Sequence, residues 1–299
     1  MSQAVGRSLE KIDGLQPYVL TADLVMQFGL ERRIRDLPDL TFDVGVAEQA
    51  MVGVAAGLAS LGRPVVCATF AAFLLRGLEV WRNSVLLDDR HVVLVGGHAG
   101  LSAGANGATH HALEDAEVFG SFPGVRVFSP CDEAELARML SFAVERPGQY
   151  YVRVDRGLGA RRLGPGELQL GEWSRAVTIG PTGGDPDCIL VSHGSIWDSV
   201  GEAARLAAAA NPALRIVALH LGDLTHETLP DTLRTSRLIY VAETFADCRT
   251  ARFARATIQH EEFTALGATW PSPSDDHNVL LRWAGLGVAN IRDSILGGR

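Results

Sequence analysis

The sequence predicts an α/β protein of two domains, each a mostly parallel sheet flanked by helices. Short β-rich runs alternate with longer helical patterns along most of the chain, the rhythm of parallel strands joined by helical crossovers. This is the rhythm of a parallel sheet covered by helices on both faces. The rhythm breaks at a glycine-rich stretch and then restarts, and 299 residues suit two domains at roughly 150 each.

In the first half the strand runs are VVCATF at 65–70, HVVLVGG at 91–97, VRVFSP at 125–130 and YYVRVDR at 150–156. Helical patterns fall at about 47–61, 72–87, 111–120 and 132–145. From 157 to 172 the composition changes to GLGARRLGPGELQLGE, without apolar periodicity, which marks a linker. The predicted boundaries are a first domain at 1–157, a linker at 158–174 and a second domain at 175–299. In the second half CILVSHGS at 188–195, a helix over 196–210, LRIVALHL at 214–221 and LIYVAETF at 238–245 repeat the pattern. A proline-rich TWPSPSDDHN then leads to a helical tail carrying Leu286, Val288, Ile291 and Ile295.

Composition narrows the function classes. Hydrophobic residues are 47% and charged residues 21%, ordinary for a folded globular chain. A net charge of −8 and no basic cluster denser than Glu31-Arg32-Arg33 argue against a nucleic-acid surface and for small-molecule chemistry. Cys67, Cys131, Cys188 and Cys248 are scattered, with no CxxC pair and no histidine at metal-ligand spacing, so buried free thiols and no metal site are expected. No apolar run reaches membrane-spanning length and the start lacks a signal core, which predicts a cytoplasmic protein without a membrane partner.

Three segments of the first half fall at strand ends, where open parallel sheets place their ligands: VGVAEQ at 44–49, TFAAFLLR at 69–76 and GGHAGLSAGANGATHHALED at 96–115. Glu48 is conspicuous because Met51, Val54, Ala55, Leu58 and Leu61 follow it at helical spacing, with glycine and alanine between them. Such a helix reads as buried nearly all round, and a buried carboxylate is costly unless something pairs with it. A plainer reading has Asp43 as the helix N-cap and Glu48 in the first turn, suiting the helix dipole. Phe70 and Phe73 can be core packing at i, i+3 or a flat surface for a ring. The long polar loop 96–115 is the kind of segment that carries function, and its histidines can donate or accept near neutral pH.

Taken in order and spacing, VGVAEQAMVGVAAGLAS, TFAAF, HAGLS and GATHHALED resemble the transketolase family. The likeness covers the pyrimidine-binding and C-terminal domains that form the second half of such enzymes, and it is looser in the C-terminal part. It implies thiamine diphosphate as cofactor. By that resemblance Glu48 hydrogen-bonds the aminopyrimidine N1′ and makes the cofactor its own base, and Phe73 stacks on the pyrimidine with Phe70 beside it. His98 and His110 face the substrate, whereas His111 has no comparable role and reads as a solvated bystander. Deoxyxylulose phosphate synthases resemble the loop but carry arginine at the place of His98. Asp23 matches a cofactor-side aspartate, with helix N-cap as the alternative. Arg156 matches a sugar-phosphate arginine, with a surface charge as the alternative. Asn106, in GANG, stands where the family has a substrate-reading aspartate.

Departures from the family pattern are as informative. The sequence has no GDG motif, Gly222-Asp223-Leu224 being the nearest approach, so the diphosphate and its Mg²⁺ are expected on a GDG-containing partner subunit, in an α2β2 assembly. The phosphate-binding arginine and serine of the family align with Ser2 and Gln27, and its C-terminal glycine pair with Cys248-Arg249-Thr250. The leading expectation is the pyrimidine-side subunit of a split transketolase that moves a two-carbon ketol unit from a ketose to an acceptor. One alternative passes a glycolyl unit to a lipoyl group or carrier protein in a natural-product pathway. Another is a non-catalytic regulatory subunit, against which the retained Glu48, Phe73, His98 and His110 speak.

Overall fold

Apolar strands buried on both faces organise the chain. A computed structural model describes residues 3–14, 16–156, 167–226 and 228–297. Strands β1 (Tyr18–Thr21), β2 (Thr41–Asp43), β3 (Val65–Phe70), β4 (Val92–Gly97), β5 (Val125–Phe128) and β6 (Gln149–Val154) form one sheet in the order β2-β1-β3-β4-β6-β5. All its pairings are parallel. Successive residues of a strand point to opposite faces. Val66, Ala68 and Phe70 accordingly join a core with helices Gln3–Leu9 and Glu133–Glu145. Val65 and Cys67 join the opposite core with helix Glu48–Ala59, Trp81 and Phe119. This explains why the central strands β3 and β4 carry no polar alternation.

A second sheet contains β7 (Glu167–Gln169), β8 (Ser174–Ile179), β9 (Cys188–Ser192), β10 (Ile216–Leu221), β11 (Arg234–Phe245) and β12 (Gln259–Ala268), in the order β12-β11-β9-β10-β8-β7. Its β8 and β7 are antiparallel additions at one edge, and the other pairings are parallel. Helices Trp197–Ala210 and Val288–Leu296 cover one face and Arg249–Thr257 the other. The fold class is the one expected. Where the two sheets meet, the Ser129 N–H donates to the Gly222 carbonyl (2.8 Å) and the Leu224 N–H to the Val127 carbonyl (2.8 Å).

Several local expectations change. Of the segment 158–174 read as a linker, residues 158–166 lie outside the described residues, and 167–169 form edge strand β7. Strands β1, β2, β8 and β12 carry weaker signals: β1 and β2 are short, and β12 is a partly exposed edge strand with a mixed polar sequence. Asp43 does not cap the Glu48 helix. The N-cap position is Ala47, without a side-chain bond, and the Asp43 carboxylate instead accepts the Asp23 and Gly45 N–H groups. Nor is that helix buried all round. Met51, Val52, Ala55 and Ala56 are buried in the core, while Val54 is 44% exposed and Leu61, beyond the helix end at Ala59, is 69% exposed. Its open side is as apolar as its buried side, so periodicity does not tell them apart.

Candidate active site

The first sheet reverses its strand order at β1: the chain passes to β2 on one side, then returns to β3 on the other. Ligands of open α/β sheets settle outside the carboxyl ends of strands at such a point. Asp23 follows β1, Glu48 follows β2, Phe70 ends β3, His98 follows β4 and Arg156 follows β6. All five therefore lie at the same end of the sheet.

Glu48 opens its helix with its side chain only 3% exposed. Among the described residues its ion-pair partner is Arg76, 3.6 Å away and largely in solvent. The carboxylate is thus withdrawn from water with one distant counter-charge, an arrangement that leaves acceptor capacity for a ligand donor. The guanidinium of Arg76 also lies 5.7 Å from the centre of the Phe73 ring and so links the carboxylate to the aromatic wall. Gly77 lets this segment pack closely: a β-carbon there would stand 2.8 Å from Val52 Cγ2 and 3.3 Å from the Glu48 carbonyl oxygen.

The aromatic wall is continuous. Ring centres are 5.5 Å apart for Phe70 and Phe73, 4.1 Å for Phe70 and His98, and 5.1 Å for Phe73 and His110. His98 is buried and has a left-handed backbone, φ 55°, a conformation that costs a non-glycine residue about 1 kcal/mol or more and clusters at functional sites. Burial, reinforced by the Arg156 charge, pushes its imidazole down to about 4. Near neutral pH it is an uncharged group with one donor and one acceptor nitrogen. His110 is half-buried, and its Nδ1 is 2.9 Å from the Thr109 hydroxyl.

Other residues named from sequence stand differently. The Arg156 side chain is exposed, its backbone N–H donates to Ser102 Oγ (2.9 Å), and it lines a cavity of about 320 Å³ with Ser102, Gly104, Ala105, Asp276 and His277. Asn106 is exposed on the short 3₁₀ turn Gly104–Asn106, outside the ring cluster. Asp23 is exposed with φ 61°. It is not an N-cap, since Leu24 holds that position before helix Val25–Phe28 and no side chain bonds there. Gln27 is also exposed, and Ser2 lies outside the described residues. His111 is not a solvated bystander. It is 1% exposed, with its ring nitrogens 2.5 Å from Ser272 Oγ and 3.0 Å from the Gly104 carbonyl. A histidine tying two domains together is a tertiary fact without a local signature.

Sequence reasoning passed over Arg76, Glu243 and His277. An arginine one turn beyond the TFAAF motif was the available signal for the first. The other two belong to the second domain and had none. The described residues contain one histidine, cysteine and carboxylate group with metal-ligand spacing, Cys131, Glu135 and His220. It is a closed ionic core rather than an open site, because Arg175 already pairs with Glu135 at 2.9 Å and all three residues are buried.

A recessed carboxylate beside a wall of aromatic and imidazole rings, at the switch point of a parallel sheet, suits a flat, hydrogen-bonding ring. Residues 15–161 match the family model "Transketolase, pyrimidine binding domain", and the chain belongs to the transketolase family. Members of this family depend on thiamine diphosphate. The chain is 37% identical over 123 residues to one of the subunits of the apulose-4-phosphate transketolase of Phocaeicola vulgatus, covering 41% of this chain and 39% of that one. It is 33% identical over 245 residues to a 1-deoxy-D-xylulose-5-phosphate synthase of Anaeromyxobacter sp., covering 80% of this chain and 37% of that one. It thus spans about two fifths of the length of these curated relatives. A solved split-gene transketolase in an inactive beta4 tetramer shares the fold, with TM-score 0.76, 22% identity, and coverage of 99% of this chain and 97% of that one. No helix among the described residues is long and apolar enough to cross a membrane.

Proposed function

We propose that this chain is the pyrimidine-side subunit of a split, cytoplasmic, thiamine diphosphate-dependent transketolase that moves a two-carbon ketol unit from a ketose to an acceptor. The observation that carries the reading is the contact cluster of Phe70, Phe73, His98 and His110 beside the recessed carboxylate of Glu48. These residues fit the pyrimidine half of the cofactor: Glu48 offers an acceptor to a ring N–H, and Phe73 a flat apolar face. When bound, the cofactor supplies the carbanion chemistry. The chain's own residues hold a proton at the ring nitrogen facing Glu48, exclude water along Phe70 and Phe73, and orient sugar hydroxyls through His98 and His110. His98, uncharged at neutral pH, does this without attracting a counter-ion.

The diphosphate half is expected on a partner. No GDG segment occurs in the sequence, and the exposed Val54 of the Glu48 helix (44%), with Val46 (72%) just before it and Leu61 (69%) just after it, is the kind of apolar surface a partner covers. Mg²⁺ is accordingly assigned to the partner, in an α2β2 assembly with shared sites. A second reading concerns the acceptor. Gln27 stands where the family has a phosphate-binding serine, Ser2 where it has an arginine, and Asn106 where it has a substrate-reading aspartate, which adds a donor in place of a pure acceptor. With Arg156 and His98 as the remaining phosphate contacts, the acceptor is a free aldose, or a lipoyl group or carrier protein receiving a glycolyl unit, rather than an aldose phosphate.

Co-expression with a GDG-bearing partner, followed by calorimetry and acceptor panels, tests both. The expected result is Mg²⁺-dependent cofactor binding only in the complex, with turnover favouring acceptors without phosphate. Micromolar Mg²⁺-dependent binding by this chain alone would refute the split site. Efficient turnover of ribose 5-phosphate, with the other acceptors poor, would refute the acceptor reading and leave a conventional transketolase.

A further inference from the structure

The segment between β4 and helix Asp115–Gly120 carries His98, Asn106 and His110 and is built of short turns rather than a helix or strand of its own. Its internal frame is the turn at Gly104–Asn106 and a two-residue bridge in which Gly100 and Ala112 exchange N–H···O bonds of 2.8 and 3.1 Å. His98 and His110 each stand two residues before a member of that bridge, so whatever fixes the bridge fixes the distance between the two imidazoles. Local turns add to this frame, among them the Gly104 N–H to the Leu101 carbonyl (3.0 Å) and the His110 N–H to the Gly107 carbonyl (2.9 Å). Since ordering such a loop costs conformational entropy, contacts from outside the segment set how this run of turns is held against the sheet.

Two anchors belong to the first domain, the Ala99 N–H to the Val154 carbonyl (3.3 Å) and the Arg156 N–H to Ser102 Oγ (2.9 Å), and the others come from the second domain. The Leu101 N–H, next to the bridge, donates to the buried Glu243 carboxylate at 3.1 Å. The Ser272 hydroxyl pairs with His111, and the Ser274 hydroxyl donates to the Ala105 carbonyl. Gly100 presses on the same strand: with φ +64°, a β-carbon on it would stand 2.7 Å from Glu243 Cβ and 2.9 Å from its carbonyl oxygen. Glu243 is held in turn by His277 Nε2 at 2.9 Å, and its carbonyl accepts from Arg153 Nη2 at 2.8 Å. Burial works against a charge on His277, yet the Glu243 carboxylate outweighs it and raises the imidazole above its ordinary value. The pair is a charge-assisted bond, shorter and stronger than a neutral one.

We infer that Glu243 and His277 are positioning residues: the second domain clamps the Gly100–Ala112 bridge through this pair and thereby sets where His98 and His110 stand for substrate. The clamp is a property of the folded chain. Its meaning for catalysis rests on the reading above, but its test needs neither cofactor nor partner, so the two fail separately.

The test is hydrogen exchange of the full chain, with imidazole NMR of His98 and His110, in wild type, His277→Ala and His277→Gln. Loss of a charge-assisted anchor predicts about tenfold faster exchange over 100–112 in His277→Ala. Exchange of β3 stays unchanged and both imidazole signals move. Glutamine restores a donor to Glu243 and returns both readouts to within about twofold of wild type. Should His277→Ala fold poorly, Ser274→Ala removes an exposed anchor and accelerates the same segment about two- to threefold. Unchanged loop exchange, acceleration shared equally by β3, unmoved His98 and His110 signals, or a His277→Gln variant that behaves like alanine would each overturn the clamp.

Discussion

Replacing Arg153 with methionine removes the cation that joins the first domain to the second beneath the candidate site. Arg153 sits on β6, 1% exposed, with Nε 3.1 and 3.2 Å from the two Asp115 oxygens and Nη1 3.1 Å from Asp155. Nη2 reaches the Glu243 carbonyl at 2.8 Å, and Tyr151 donates to Asp115 at 2.6 Å. Burial pulls the guanidinium toward neutrality, but Asp115 and then Asp155 hold it above its ordinary value. Burial first, and the Glu243 charge with it, pushes Asp155 up, and Arg153 is the cation that opposes this. Methionine fills much of the volume and leaves two carboxylates in the core without their cation. Removing one partner of a buried pair costs about 3–5 kcal/mol, a large part of the roughly 5–15 kcal/mol that holds a typical fold.

Urea titration followed by tryptophan fluorescence and circular dichroism measures this loss as a fall in the first transition midpoint. Arg153→Lys keeps a charge, but one ammonium does not span three acceptors in the guanidinium's planar fork, so it is expected to fall between methionine and wild type. The deficit of the methionine variant also shrinks from pH 7 toward 4. Asp155, already raised by burial, loses the cation that opposed this, so the folded state binds a proton there more readily than the unfolded one and gains stability as pH falls. A loss below about 1 kcal/mol at pH 7, or a deficit that grows on acidification, would refute the reasoning.

Glu48→Gln keeps shape but loses the ionised acceptor. In the partnered complex the thiazolium C2-proton exchange, followed by NMR, is expected to slow by about a hundredfold or more, with the circular dichroism spectrum unchanged. Gly100→Ala places a β-carbon 2.7 Å from Glu243 Cβ at φ +64°, and a thermal melt should report a destabilisation of about 1–3 kcal/mol. A histidine NMR titration should place the His98 midpoint near 4 rather than 6.5. Because its folded pKa lies below its unfolded one, its contribution to stability is present above about 6.5 and lost as pH falls through 4. His98→Asn therefore flattens the acid limb of the stability profile in that window.

Local chemistry made much of this protein legible. An apolar run with no polar alternation, such as 65–70, reads as a strand covered on both faces because only that environment tolerates it. A lone carboxylate opening a helix of small apolar residues stands out as Glu48 does, and a glycine-rich, histidine-bearing loop after a strand stands out as 96–115 does. Other features were decided only by residues distant in the chain. Leu101 meets Glu243 across 142 positions and His111 meets Ser272 across 161, and no periodicity records either contact. Which side of the Glu48 helix faces the sheet was likewise invisible, since Val54 and Ala55 are equally apolar and only packing tells them apart. Edge strands such as β12 escaped because one exposed margin frees them from the apolar requirement that identifies central strands. Side-chain type and spacing thus determined the central strands, and the resemblance of the ordered motifs to a known family picked out most of the ring cluster. The tertiary structure decided how the second domain holds that cluster, because the energy of a buried ion pair depends on proximity in space, which local pattern does not contain.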